Sequence, residues 1–269
     1  MSSTTALLTN KNKSPFPSIR LRQLISGMAP MVLLYFLYTV VRFLVKDRGP
    51  VEGIRNAYDI LDLERQLGLN WEVGLQNFLL PHSWLVMAAN WYYVAGFLPV
   101  ILVSASIAAL LDYQRFIWWR TRFAVTLLLA LVGFAIYPLA PPRMLPGMVD
   151  TLMVYGPRYY GDSHGASLFN AYGRLPSMVN IYAAMPSMHM AWSIIAGALL
   201  ISAFKRRWWA WALGVVHPAL MGVAVIVTAN HFLLDVVVGV LALLGALLLL
   251  DFGARILTVS RMRTGAVND

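Results

Sequence analysis

Six long apolar segments, separated by shorter polar stretches, dominate this sequence of 269 residues. A helix needs about 20 mostly apolar residues to cross the hydrocarbon core of a bilayer. Apolar residues make up 59% of the chain and charged residues only 12%, about half the charged share of a soluble domain. This composition excludes an ordinary soluble enzyme and a disordered chain. The sequence therefore predicts an all-α, polytopic membrane protein with six transmembrane helices, at roughly 24–45, 83–111, 121–139, 185–204, 208–229 and 232–252.

The distribution of Lys and Arg between the two sides predicts the orientation of these helices. Thirteen basic residues fall in four clusters on one side, whereas the eight on the other side face nine acidic residues. Because basic loops stay in the cytoplasm, both termini are expected there, and the segments 46–82 and 140–184 are expected outside the cell membrane. The net charge of +9 does not indicate nucleic-acid binding, since the basic residues lie in short clusters beside the membrane.

The outer segment 51–80 contains two apolar patterns with helical spacing, separated by Gly68. We expect two short amphipathic helices that lie in the membrane interface. The patterns consist of Ile54, Ala57, Tyr58 and Leu61, then Trp71, Leu75, Phe78 and Leu79.

The chain accordingly divides into a cytoplasmic tail (1–23), a first span with the interfacial helices (24–82), a catalytic helical core (83–254) and a C-terminal cytoplasmic tail (255–269).

Three short polar stretches stand at the outer ends of predicted spans and contain residue types suited to catalysis. They are Ala140-Pro141-Pro142-Arg143, Met185-Pro186-Ser187-Met188-His189 and Asn230-His231-Phe232-Leu233-Leu234-Asp235. The sequence lacks the signatures of P-loop nucleotide motors, dinucleotide enzymes, zinc proteases and serine hydrolases. It also contains no Cys, which excludes disulfides, thiolate nucleophiles and Cys-bound metals. The predicted topology brings the three stretches to one face of the membrane.

His231 and Asp235 are four residues apart, so on a helix the carboxylate lies on the same face as the imidazole. An Asp there can accept the Nδ1 proton of the ring and leave Nε2 available for nucleophilic attack. A helix that begins near Ser187 has unpaired N–H groups, which together with the Ser187 hydroxyl and His189 suit a phosphate group. Arg143 adds a guanidinium that suits phosphate oxygens. Singly, each residue also fits a structural role as a helix cap or interfacial anchor, but together they favour a metal-free phosphoryl-transfer site.

These stretches resemble the motifs of the type 2 phosphatidic acid phosphatase superfamily, which also includes vanadium haloperoxidases. The sequence at 186–189 matches the second family motif, PSxH, and His231 with Asp235 matches the HxxxD of the third. The resemblance implies that His231 is the nucleophile that forms a phosphohistidine, that Asp235 orients it, and that His189 protonates the leaving group. It also implies that Ser187 binds phosphate and that Arg143 stands where the first motif has its Arg. No metal or other cofactor is expected.

Within this superfamily the chain resembles the inositol-phosphorylceramide synthase (aureobasidin-resistance) branch, which transfers phosphoinositol between lipids. The Pro-Pro-Arg sequence at 141–143 is similar to that branch's first motif, and Val225 occupies the position where the third motif normally has an Arg. An inositolphosphotransferase-like reaction is therefore expected, on a phospholipid or polyprenyl phosphate substrate among membrane lipids. The alternative is hydrolysis of a lipid phosphate, a polyprenyl phosphate or a polyprenyl diphosphate, with water as the acceptor. A non-catalytic lipid-binding or transport protein is the remote alternative.

The outer segment 140–184 is too long for a simple turn and is rich in polar residues. Long loops without secondary structure of their own are often functional. If an alcohol is the acceptor, we expect this loop to contribute the acceptor or headgroup site. The candidate residues for that site are Arg158, His164, Asn170, Tyr172 and Arg174.

Overall fold

The computed structural model describes residues 18–44, 49–155 and 180–265, and these are almost entirely helical. Within those ranges the α-helices are α1 (Ser18–Leu44), α2 (Ile54–Leu67), α3 (Glu72–Leu79), α4 (Ser83–Ala95), α5 (Leu98–Leu111), α6 (Tyr113–Ile136), α7 (Thr151–Tyr155), α8 (Met188–Ala203), α9 (Trp208–Val227) and α10 (Leu233–Gly265). A π-helical turn (Gly49–Gly53) precedes α2, and a 3₁₀ turn (Pro142–Met144) follows α6. The described ranges contain no β-strand, only an isolated bridge between Leu139 and Ala183, so the all-α prediction is confirmed for them.

Four helices in the described ranges are long and apolar enough to cross a bilayer. They are Leu21–Leu44 within α1, α6, α9 and Leu233–Ile256 within α10. The bent pair of α4 and α5 forms a fifth span if it crosses as one unit. α8 is apolar but has only 16 residues, fewer than the about 20 of a typical span. The chain is therefore a multi-pass membrane protein, and the count of six spans stays a prediction.

The segment 83–111, predicted as one span, is divided into α4 and α5, which are bent by 50° relative to each other. Pro99 accounts for the break, because a proline inside a continuous helix has no N–H to donate and clashes with the carbonyl four residues earlier. In the structure Pro99 lies in the first turn of α5, where no intrahelical donor is needed. Tyr93 and Phe97, on either side of the break, pack against the His189 ring.

α6 and α10 extend further than predicted at the end of the bundle remote from the motif stretches. α6 begins at Tyr113 rather than near 121, and the Asp112 carboxylate caps it by accepting a backbone N–H. α10 continues to Gly265, into the segment predicted as a C-terminal tail. Arg122 and Asp251 form an ion pair between the two helices (2.6 Å). This pair accounts for a charged residue at the largely buried position 122.

α8 lies at the centre of the bundle, in contact with α5, α6, α9 and α10. Its buried side chains include Trp192, Ile195 and Leu199. A Cβ at Gly197 would overlap the backbone of Gly214 in α9, so the two helices approach closely because neither residue has a side chain. This packing fixes the position of α8, whose first turn contains His189.

α2 and α3 form in the outer segment where two amphipathic helices were predicted, and Gly68 ends α2 with a φ of +67°. Their inner faces are more polar than the predicted patterns. Buried polar side chains on these faces are Asn56, Glu64, Glu72 and Gln76. Tyr58, Trp71 and Phe78, assigned to the apolar patterns, are exposed. The inner polar groups bind backbone groups of neighbouring segments, as Asn56 does with Pro138 O (2.7 Å), and an interfacial location of both helices stays a prediction.

Candidate active site

The first turns of α8 and α10 are joined through Ser187. Its backbone N–H donates to the carbonyl oxygen of Asp235 (3.0 Å), and its hydroxyl caps α8 by accepting a backbone N–H three residues on (3.4 Å). A Cβ at Gly239, one turn beyond Asp235, would overlap the Ser187 carbonyl oxygen. The two helix starts are therefore close enough for His189 and His231 to meet.

Three successive N–H groups at the start of α10 each donate to a different carboxyl group. Phe232 N–H donates to Asp235 (3.0 Å), Leu233 N–H to Glu72 (2.8 Å) and Leu234 N–H to Glu64 (2.7 Å). All three acids are buried. A helix start attracts negative charge, since its first N–H groups have no partners within the helix. These bonds fix the backbone directly after His231.

His231 lies between an acid and a second histidine. Its Nδ1 is 3.2 Å from Asp235 Oδ2, and its Nε2 is 3.2 Å from His189 Nδ1. The exposed fraction of His231 is 5%, and Asp235 is fully buried. The two imidazole rings meet edge to face, with their centroids 5.4 Å apart. The structure thus brings together the three residues predicted to be catalytic.

These contacts are satisfied when Nδ1 of each ring has a proton and Nε2 of His231 has none. The Asp235 carboxylate accepts the Nδ1 proton of His231, so Nε2 of His231 has a lone pair and no proton. The contact between the rings then requires a proton on His189 Nδ1. A nucleophilic lone pair and a proton donor therefore lie side by side, which is what a covalent mechanism with acid assistance requires.

Aromatic rings hold His189 in place. Tyr93 stacks on the imidazole with 4.5 Å between centroids, and Phe97 packs on it at 4.2 Å. Phe97 in turn stacks on Trp192, one turn along α8 (5.1 Å). Because these rings restrict rotation of the imidazole, His189 faces His231 in a defined orientation.

Arg143 lies in the 3₁₀ turn after α6, and two side chains direct its guanidinium. Nη1 donates to Asn230 Oδ1, and Nε is 3.4 Å from Asp150 Oδ2. The backbone N–H of Arg143 donates to the Ala229 carbonyl (2.9 Å), which joins this turn to the loop before His231. All three motif stretches therefore meet at one site, as the topology predicted.

A small cavity of about 110 Å³ opens between these residues. Its described lining includes His189, His231, Arg143, Asn230 and Arg42, and no carboxylate belongs to that described lining. Pockets that enclose a drug-sized ligand measure about 300–1,000 Å³. This cavity therefore suits a small charged part of a larger substrate, such as its phosphoryl group.

The remaining predicted site residues are Ser187 and the five acceptor candidates. Ser187 does not belong to the described cavity lining, and its phosphate contact stays a prediction. The acceptor candidates Arg158, His164, Asn170, Tyr172 and Arg174 lie outside the described residues. Within the part of the chain that the structure describes, no three His, Cys, Asp or Glu side chains are grouped so as to hold a metal ion.

Arg42, Glu64 and Glu72 belong to the site region, although no motif identified them. The sequence did contain a sign that the two glutamates are buried. Each is an acidic residue on the inner face of a short helix, at a position where the apolar pattern predicts a hydrophobic residue. Val225, at the position where the resemblance implies an Arg, is fully buried. Its carbonyl oxygen accepts the backbone N–H of His231 (3.2 Å), so Val225 positions the loop through its backbone.

Burial raises the pKa of the Glu64 carboxyl from its ordinary value of 4.5 to about 8. The negative charge of Glu72, a hydrogen bond between the two carboxyl groups and the charge of Asp235 also raise this pKa, against the lowering effect of the Leu234 N–H. Glu64 is therefore protonated at neutral pH. A protonated Glu64 beside Glu72 limits the negative charge packed against the start of α10.

The raised pKa of Glu64 predicts a pH-dependent stability. Between pH 4.5 and 8 the folded chain keeps a proton that the unfolded chain releases, so the free energy of unfolding falls as the pH rises. The slope is at most about 1.4 kcal/mol per pH unit and ends above pH 8. Glu64→Gln keeps an acceptor for Leu234 N–H but cannot titrate, so its apparent melting temperature in detergent should lack this part of the slope.

The matched control for this prediction is Asp62→Asn, at an acid of the same helix whose side chain is 62% exposed. This variant should keep the wild-type dependence of the melting temperature on pH. Identical slopes for the wild type and Glu64→Gln between pH 5 and 8 would contradict the assignment.

The sequence pattern of the PAP2 superfamily matches residues 58–249, a segment that contains the two histidines and Asp235. Phosphoinositol dihydroceramide synthase of Bacteroides thetaiotaomicron is 26% identical over 182 residues, which cover 64% of this chain and 58% of that relative. No solved structure matches significantly. The matched segment and the motifs PSxH and HxxxD within it lead to one conclusion: the chain belongs to the PAP2 superfamily, the type 2 phosphatidic acid phosphatase superfamily.

Proposed function

We propose that this chain is an integral membrane enzyme that transfers a phosphoryl group from a lipid-linked phosphate through a phosphohistidine on His231. The observation that carries the proposal is the line of contacts from Asp235 through His231 to His189 beside one small cavity. The imidazole supplies the nucleophile and a guanidinium supplies positive charge, so the reaction proceeds without a metal ion. Membership of the PAP2 superfamily supports chemistry at a lipid phosphate.

In the first step the hydrogen bond between the histidines opens, and the substrate phosphorus takes its place at His231 Nε2. The Nε2 lone pair attacks phosphorus, and the bond from phosphorus to the lipid oxygen breaks on the opposite side. His189 acts here as an imidazolium, which the negative charge of the bound phosphate stabilises. It gives its Nδ1 proton to that oxygen and is left as a neutral ring, so a neutral lipid alcohol leaves. Asp235 accepts the Nδ1 proton of His231 and stabilises the positive charge on the ring, while Arg143 binds the other phosphate oxygens.

In the second step the phosphohistidine passes its group to an acceptor hydroxyl. His189, now a neutral ring, accepts the proton of that hydroxyl at Nδ1 as the new bond to phosphorus forms, and it becomes an imidazolium again. The bond from phosphorus to His231 Nε2 breaks, and its electron pair returns to the ring. An alcohol acceptor yields a new phosphate ester, and water yields the hydrolysed product.

We propose an alcohol as the physiological acceptor, in an inositolphosphotransferase-like reaction on a phospholipid or polyprenyl phosphate. The similarity to phosphoinositol dihydroceramide synthase supports this choice, as does the Pro-Pro-Arg sequence at 141–143. The residues proposed to bind the acceptor or the headgroup are those of the segment 140–184, namely Arg158, His164, Asn170, Tyr172 and Arg174. Hydrolysis is the second candidate, favoured by the small volume of the described cavity, which suits water as acceptor.

We further propose that the site faces the extracytoplasmic side of the cell membrane and that both termini are cytoplasmic. α8 runs from His189 at the site to the opposite end of the bundle, where Arg115, Lys205 and Arg206 line an open groove. Basic residues favour the cytoplasmic side. The opposite end, with the site, then lies outside.

The proposal is tested by assaying purified protein in detergent with EDTA. The donors are phosphatidylinositol, phosphatidic acid and a polyprenyl diphosphate, each with and without a ceramide-type alcohol. We expect an ester of the alcohol as the main product, formed in EDTA and absent with His231→Ala. Free phosphate as the main product would favour the phosphatase. No product from any donor would favour a non-catalytic protein.

A further inference from the structure

Arg42, in the last turn of α1, adds a second guanidinium to the cavity beside His231. Its side chain is half-buried, and the guanidinium carbon lies 5.2 Å from the ring centroid of Tyr38 and 5.8 Å from that of Phe134. One N–H of Nη2 donates to the carbonyl oxygen of Asn180 (2.6 Å). These contacts hold the guanidinium at the cavity wall.

The charge of Arg42 has no counter-ion among the described residues. Its Nε is buried without a hydrogen-bond partner, and its described contacts are aromatic rings and a carbonyl. Arg143, by contrast, pairs with Asp150. The described cavity lining contains two guanidinium groups, two imidazoles and no carboxylate. Because a partly buried cation is costly without an anion beside it, this cavity favours an anionic group.

We propose that Arg42 binds the non-bridging phosphate oxygens of the substrate together with Arg143. This inference rests on the proposed phosphoryl-transfer function and extends it to a residue outside the segment 58–249 that matches the superfamily. During the attack by His231, negative charge on these oxygens is stabilised by two guanidinium groups from different segments. α1 is then part of the active site as well as a membrane span.

The test measures phosphate binding by purified Arg42→Gln and Arg42→Lys in detergent. The probes are inorganic phosphate and a water-soluble short-chain phosphatidic acid, and the readout is the dissociation constant from calorimetry. Loss of a charge-assisted hydrogen bond should weaken the binding of both probes about 10- to 100-fold in Arg42→Gln. Arg42→Lys keeps the charge without the planar fork and should recover part of the affinity.

The matched control is Arg120→Gln. Like Arg42, Arg120 forms a hydrogen bond between α1 and another segment, since its guanidinium donates to the Gly27 carbonyl of α1 (3.3 Å). Arg120 does not belong to the described cavity lining. This variant should bind both probes like the wild type. It reports the effect of losing a similar bond between α1 and the rest of the bundle.

The outcomes separate this inference from the proposed function. Wild-type affinity of Arg42→Gln for both probes, with a lower melting temperature, would overturn the inference and give Arg42 a structural role. Weaker binding of the lipid phosphate alone would also overturn it, because Arg42 would then contact another part of the lipid. If the wild type binds neither probe and has no activity, the proposed function fails as well.

Discussion

Replacing His231 with alanine is expected to reduce phosphoryl transfer by about 10⁴-fold or more. The variant removes the atom that attacks phosphorus, so both steps of the proposed reaction are lost. Substrate binding should change little, since Arg143 and the other cavity walls remain in place. The measurement is the single-turnover rate with saturating lipid donor, together with the dissociation constant for that donor.

The control for this variant is His82→Ala, which removes an exposed histidine outside the described cavity lining. It should retain wild-type turnover. A loss of less than about tenfold in His231→Ala would contradict the assignment of the nucleophile, because another group would then attack phosphorus.

Replacing His189 with alanine is expected to slow transfer from a lipid donor by about 10²- to 10⁴-fold. A lipid alkoxide is a poor leaving group, so its departure needs the proton of His189. The p-nitrophenolate of a p-nitrophenyl phosphate ester departs readily without a proton. The variant should therefore lose far less activity on that donor. The measurement is the ratio of variant to wild-type rates on the two donors.

The rates on these two donors show whether His189 acts as a general acid or only as a packing residue. The His189 ring packs between Tyr93 and Phe97, so its removal also leaves a gap in the aromatic cluster. A purely structural defect slows both donors equally. Equal losses on the lipid and the p-nitrophenyl ester would therefore contradict the role of His189 as the general acid.

The sequence predicts the parts of the site that depend on local spacing or on the ends of predicted spans. The spacing of His231 and Asp235 predicts a contact on one helix face, and the structure shows it at 3.2 Å. The contact between His189 and His231 was expected only through topology, since 42 residues separate them. It followed because both residues stand at the same end of predicted spans.

Other contacts depend on the packing of distant segments, which no local pattern reveals. Glu64 and Leu234 are 170 residues apart, and the glutamate acquires its role only because α2 lies against the start of α10. In the sequence Arg42 is only one of the basic residues that flank the predicted spans, and the packing of α1 brings it to the cavity. Polar residues inside a helical bundle interrupt the apolar pattern without indicating which group they bind.

The lengths of the helices also depend on more than hydropathy. The apolar run of the last span ends near 252, yet α10 continues to Gly265 because backbone hydrogen bonds do not require apolar side chains. The break between α4 and α5 had a visible signal in Pro99, but the apolar run continued through it and was interpreted as one span.

The most direct test of the proposed mechanism is detection of the covalent intermediate. Wild-type protein is mixed with a ³²P-labelled lipid donor without acceptor, quenched rapidly in alkali and digested, because the phosphorus–nitrogen bond of phosphohistidine is labile in acid. We expect an acid-labile label on the peptide that contains His231, and no label in His231→Ala. Turnover by the wild type with no label, or with the label on another residue, would contradict the proposed mechanism.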